Sequence, residues 1–74
     1  SREVSEEQFS IRLRNHKDEA VTVLAEETMG GSTDWTIIEK SIPFEKIDVA
    51  TVRFEVVIQP NSETTITYTV RHKR

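Results

Sequence analysis

The sequence contains no cysteine, so no disulfide can staple the fold and no thiolate can serve as metal ligand or nucleophile. Its two glycines are adjacent, Gly30 and Gly31, and its two prolines are Pro43 and Pro60; long stretches are left free for regular structure. No apolar run approaches the roughly 20 residues of a membrane-spanning helix. No segment has the basic-then-apolar form of a secretory signal either. Neither charge sign dominates: 10 basic and 13 acidic residues give a net charge of −3. Nucleic acid calls for a concentrated basic face, so this composition argues against it as a partner. Also missing is the 3.6-residue apolar repeat of an amphipathic helix. Ser5-Glu6-Glu7-Gln8 has the form of a capping box, but the alternation that follows it cannot continue a helix.

What the chain has instead is alternation with period two. In residues 51–59, Val52, Phe54, Val56 and Ile58 share one face, while Thr51, Arg53, Glu55 and Gln59 share the other; Val57 alone breaks the pattern. β-branched and aromatic residues at every second position are what a half-buried strand requires. This stretch is the expected central strand. Phe9, Ile11 and Leu13 alternate with Ser10, Arg12 and Arg14 to give a first strand over residues 9–14, preceded by a polar, flexible segment 1–8. A turn at residues 15–19, led by Asn15, precedes a second strand at 20–27 with Val21, Val23 and Ala25 on one face and Leu24 on the other.

Residues 28–34 hold both glycines and read as a mobile loop. Trp35 to Ser41 alternates ambiguously, with Trp35, Ile37 and Glu39 on one side, as an edge or corner strand would. Pro43 then breaks the pattern, and Ile42, Phe44 and Ile47 are expected to tuck the connection onto the core. After a turn at 60–63, Thr64, Ile66, Tyr68 and Val70 point inward along a last strand.

Five strands, regularly spaced turns and no useful helix predict an all-β fold: a small antiparallel immunoglobulin-like β-sandwich of five to seven strands. It occupies residues 9–72 as one domain, with 73–74 a C-terminal tail. A chain of 74 residues buries only about 60% of its unfolded surface, so the core must be small. The last two strands could form a hairpin, pairing Val56 with Ile66, or an arch between sheets. The arch is preferred because Pro60 brings no donor and the turn lacks the glycine of a tight hairpin. It would pair residues 9–14 with 51–59, and residues 20–26 with 64–70.

Candidates for chemistry are few. His16 sits in a polar turn and His72 in a basic tail, without partners at metal-binding spacing. Adjacent Glu26 and Glu27 on a strand point to opposite faces and cannot share a proton. Gly31-Ser32 is not a nucleophile elbow, and Gly30-Gly31 has no following lysine for a phosphate loop. No catalytic residue, metal site or cofactor is expected. Arg71, His72, Lys73 and Arg74 with Arg12 and Arg14 could make a basic patch for an acidic partner, blunted by Glu19, Glu26 and Glu27. Trp35 is either a core anchor or, with Gly30 and Gly31, a platform for a ligand.

Several short pieces add a resemblance. Residues 15–23 (NHKDEAVTV), 34–37 (DWTI), 46–56 (KIDVATVRFEV) and 65–70 (TITYTV) together resemble the C-terminal β-domain of a bacterial family of unknown function associated with mucoidy-inhibitor-like proteins. The resemblance covers roughly residues 9–72. It implies a β-rich module closing a longer, often exported or envelope-associated chain, and it supplies no catalytic residues. The chain starts at Ser1 and has its one methionine at Met29, which fits a piece of such a protein.

The expected function is a non-catalytic structural or protein-interaction module that docks on other domains of its parent or on a protein partner. It should insert into no membrane, and the isolated chain is expected to be monomeric. The alternative is a carbohydrate- or envelope-polymer-binding module using Trp35 and the Gly30-Gly31 loop.

Overall fold

A computed structural model describes residues 4–29 and 34–73. Six strands form within it: β1 (Val4–Arg14), β2 (Val21–Thr28), β3 (Trp35–Lys40), β4 (Glu45–Asp48), β5 (Thr51–Ile58) and β6 (Glu63–Lys73). They make two three-stranded antiparallel sheets, one ordered β1-β6-β3 and the other β2-β5-β4. The small all-β sandwich read from the alternation is what forms. Its core is built almost wholly by the two central strands. Val52, Phe54, Val56 and Ile58 from β5 meet Ile66, Tyr68 and Val70 from β6, with Met29 closing one end. Phe54 and Tyr68 face each other between the sheets with ring centroids 5.3 Å apart.

β5 and β6 lie in opposite sheets, so the arch is correct, but its pairing partners are exchanged. β1 pairs with β6, placing Ile11 opposite Ile66, and β2 pairs with β5, placing Val23 opposite Val56. The reason lies at the corners. The Asn15 N–H donates to Ser62 O at 2.8 Å and the Asn61 N–H to Lys17 O at 3.1 Å. The β1–β2 corner is thus laid on the β5–β6 corner, and the two cross between sheets together. Arg14 is held beside Glu63 and Val21 beside Ile58, which fixes both registers. Among the described residues, β4 and β5 are the one consecutive pair that are neighbours within a sheet. β3 pairs with β6 and β4 with β5, so β3 and β4 end in different sheets.

Three features differ from expectation. β1 begins at Val4, so residues 4–8, expected as a polar flexible lead, are strand, running from Val4 opposite Lys73 to Gln8 opposite Thr69. Backbone pairing with β6 holds this half, since its side chains are all exposed. β4 went unread because it has four residues and a bulge. Ile47 falls at that bulge, between Lys46 opposite Val52 and Asp48 opposite Thr51, and is 38% exposed instead of tucked in. A second bulge after Ile37 resolves the ambiguous alternation of β3. Trp35, Ile37 and Lys40 share the inward register, and Glu39 turns outward beside Thr69.

Candidate functional site

Trp35, the candidate ligand platform, stands where β3 leaves the segment 30–33. Gly30 and Gly31 lie outside the described residues. Met29 before that segment and Trp35 after it both clip to the β4–β5 turn. Met29 N–H donates to Ala50 O at 2.6 Å, and Trp35 Nε1 donates to Val49 O at 2.8 Å. The turn is itself braced: Ala50 N–H donates to Asp48 Oδ1 at 2.8 Å. That bond, followed by one from the Thr51 side chain, holds the Asp48 carboxyl below its ordinary range. Lys46 Nζ lies 4.9 Å from the Trp35 ring centroid. The indole is therefore half-buried, with its N–H committed to Val49 and a cation over its ring. It anchors a corner, and the ring retains an accessible margin.

The other expected groups are placed apart. His16 lies at the Asn15 corner and His72 near the far end of β6, opposite Trp35. Arg12 and Arg14 pair with Glu63, at 3.6 and 3.3 Å, while Arg71 pairs with Glu6 at 2.8 Å. Arg12 lies opposite Thr65 and Arg71 six residues further along β6, about 20 Å at the rise of a strand. The supposed basic patch is thus divided, and the acids that quench it are Glu63 and Glu6, not Glu19, Glu26 and Glu27. Glu26 and Glu27 do point to opposite faces. Arg53 reaches Glu26 at 2.9 Å on the outside, and the Tyr68 hydroxyl donates to Glu27 Oε1 at 3.1 Å. Burial first, then the Glu27 charge, pushes the Tyr68 hydroxyl up to about 12.

Two features were missed. Asn15 is expected only to lead a polar turn, a place where asparagine tolerates unusual backbone angles; it is the one buried polar residue among the described residues, 4% exposed. The unusual angle belongs to Asn61, at φ 52°, in the left-handed region that asparagine visits more readily than most residues. A polar depression of about 270 Å³ opens beside this corner, lined by Arg14, His16, Asn61 and Glu63 among others. No sequence signal marks it.

The second missed feature is apolar. On the outer face of the β2-β5-β4 sheet, Leu24 is 54% exposed and Val57 53%. Leu24 stands opposite Glu55 and Thr22 opposite Val57, so the two apolar side chains are diagonal neighbours within mutual reach. Glu55 stands beside both, and Arg53, held between Glu26 and Glu45 at 2.9 and 3.4 Å, borders Leu24. The exposure of Leu24 was foreshadowed by its place opposite Val21 and Val23 in the alternation. No protein-family model, curated protein or solved structure matches the chain.

Proposed function

We propose that this chain is a non-catalytic β-sandwich module that docks through the outer face of its β2-β5-β4 sheet, against a neighbouring domain of a longer chain or a protein partner. The observation that carries this is the Leu24–Val57 pair: two large apolar side chains more than half exposed on one face, with Glu55 beside both and the Glu26–Arg53–Glu45 charges beyond Leu24. An apolar centre with a polar rim is the usual anatomy of a docking patch. The two groups with displaced proton affinity, Asp48 and Tyr68, are engaged in bracing a turn and joining two sheets, which favours a structural role for both. The resemblance to the mucoidy-inhibitor-associated family would place the module at the end of an exported or envelope-associated bacterial protein. An immunoglobulin-like relationship is supported as far as a small antiparallel sandwich with its last two strands in opposite sheets.

The test compares the isolated chain with the longer protein. Leu24→Lys with Val57→Lys should change the stability of the isolated chain by no more than about 0.5 kcal/mol, as surface substitutions do. In the longer protein the same pair should lower the melting temperature or release a bound partner. Equal behaviour in both settings would sink the reading.

A further inference from the structure

We propose that the free edge of β1 is a self-association surface, pairing antiparallel with β1 of a second copy of this chain about a two-fold axis through Phe9. The four strands that end their sheets are not equivalent. β3 and β4 are interrupted by bulges and carry lysines, Lys40 and Lys46, in their inward registers. Both are standard ways of blunting an exposed edge. β1 also has an inward-register charge, Glu7, but it is the edge without a bulge that carries both charge signs: it pairs with β6 over eleven residues without a register shift, holds no glycine or proline, and pairs with no described strand on its other side. β2 is also regular, but its charges are Glu26 and Glu27 with no cation, so it offers no charge match to itself.

The sequence of β1 is self-complementary in the antiparallel sense. Two copies related by an axis perpendicular to the sheet keep inner faces together, so residues of the same parity stand opposite each other. With Phe9 on the axis, the midpoint of Val4–Arg14, Glu6 of each copy stands opposite Arg12 of the other on the outer face. Glu6 already pairs with Arg71, and Arg12 with Glu63. The dimer would therefore carry a row of alternating charge across four strands: Glu63 and Arg12 of one copy, then Glu6 and Arg71 of the other. On the inner face Phe9 meets Phe9. Phe9 is 38% exposed although it stacks on Tyr68 at 5.2 Å, so part of the ring is left uncovered. Ser5 meets Leu13, and the weakest match is Glu7 beside Ile11. Moving the axis to Gln8 removes the charge pairs and moving it to Ser10 exchanges them for Glu6–Arg14, but either shift separates the two phenylalanines. The result is one continuous six-stranded sheet.

Sedimentation equilibrium of the 74-residue chain over a concentration series should show its mass rising from 8.6 kDa toward twice that value. Arg12→Glu sets two acids against each other twice and should weaken association at least tenfold while the chain still melts cooperatively. Adding Glu6→Arg should restore association. Because the chain has no cysteine, Phe9→Cys reads the register directly: the introduced thiols should cross-link between copies faster than those of Gln8→Cys or Ser10→Cys. A mass of 8.6 kDa throughout, association indifferent to Arg12→Glu, or faster cross-linking at position 8 or 10 would overturn the proposal. So would a monomer whose β1 edge instead takes up a different extended chain.

Discussion

The side-chain amide of Asn15 lies 3.1 Å from the carbonyl of Ile58, across 43 residues of sequence. The same Nδ2 also reaches Gln59 O at 3.2 Å and Glu19 O at 2.8 Å, while Oδ1 accepts from Lys17 N–H at 2.8 Å. One side chain thus ties the β1–β2 corner to the end of β5. Asn15→Ala would orphan several backbone groups, at least one of them buried. The expected loss is about 1–3 kcal/mol, read as a lower denaturation midpoint. Asn15→Asp should cost more, since a carboxylate would face three carbonyls. A variant as stable as the parent would show that water replaces the amide without loss.

Phe54 is fully buried and touches aromatic rings on two sides, Phe44 at 6.3 Å and Tyr68 at 5.3 Å between centroids. Truncating a buried phenylalanine costs about 3–5 kcal/mol, and a chain of this length has roughly 4–11 kcal/mol in total. Phe54→Ala should leave the chain largely unfolded by circular dichroism. Phe9→Ala, at a half-open site, should melt cooperatively at a modestly lower temperature. The contrast separates core from edge.

What was legible in the sequence follows from what burial imposes. β5, Val57 apart, and the inner half of β6 alternate because both central strands face the core, so their inward residues were legible. Residues 4–8 gave no signal because they are strand by virtue of pairing with β6, a force that leaves no apolar pattern. Bulges hid β4 and scrambled β3, since one inserted residue exchanges the faces downstream. The choice of sheet partner was beyond reach: Ile11 could meet Ile66 or Val56 with equal chemical sense. That choice is made by Asn15 and Asn61 at the corners, and composition does not reveal which asparagine is buried.

Trp35 is the chain's one tryptophan, so its emission reports the corner where it sits. Trp35→Phe keeps most of the packing and gives up the bond to Val49 O, for a cost of about 0.5–1.5 kcal/mol. Lys46→Gln should remove the cation over the ring, worth about 0.5–1 kcal/mol at an exposed site, and shift the emission. If the chain is a docking module, a panel of glycans will leave the emission unchanged. A saturable, glycan-dependent shift would instead favour the carbohydrate-binding alternative.

The last prediction concerns alkaline pH. Tyr68 is the single tyrosine, and its hydroxyl donates to Glu27 at 3.1 Å. Burial, together with that neighbouring carboxylate, raises its proton affinity to a pKa of about 12. In the unfolded chain the same group titrates near its ordinary value of about 10. Between these two values the unfolded chain has released a proton that the folded chain still holds, so stability must fall as pH rises. The contribution is complete below about pH 10 and disappears as pH passes the folded value of about 12. Tyrosinate absorbance of the folded chain should therefore show its midpoint well above that of the denatured chain. Melting temperatures followed through the same range should drop more steeply for the parent than for Tyr68→Phe, which has no proton to lose. Near neutral pH the variant should be destabilised only modestly, by about 1 kcal/mol for the missing hydrogen bond. Parallel slopes for parent and variant above pH 10 would mean that Tyr68 ionises freely in the fold, and that its bond to Glu27 does not hold the two sheets together.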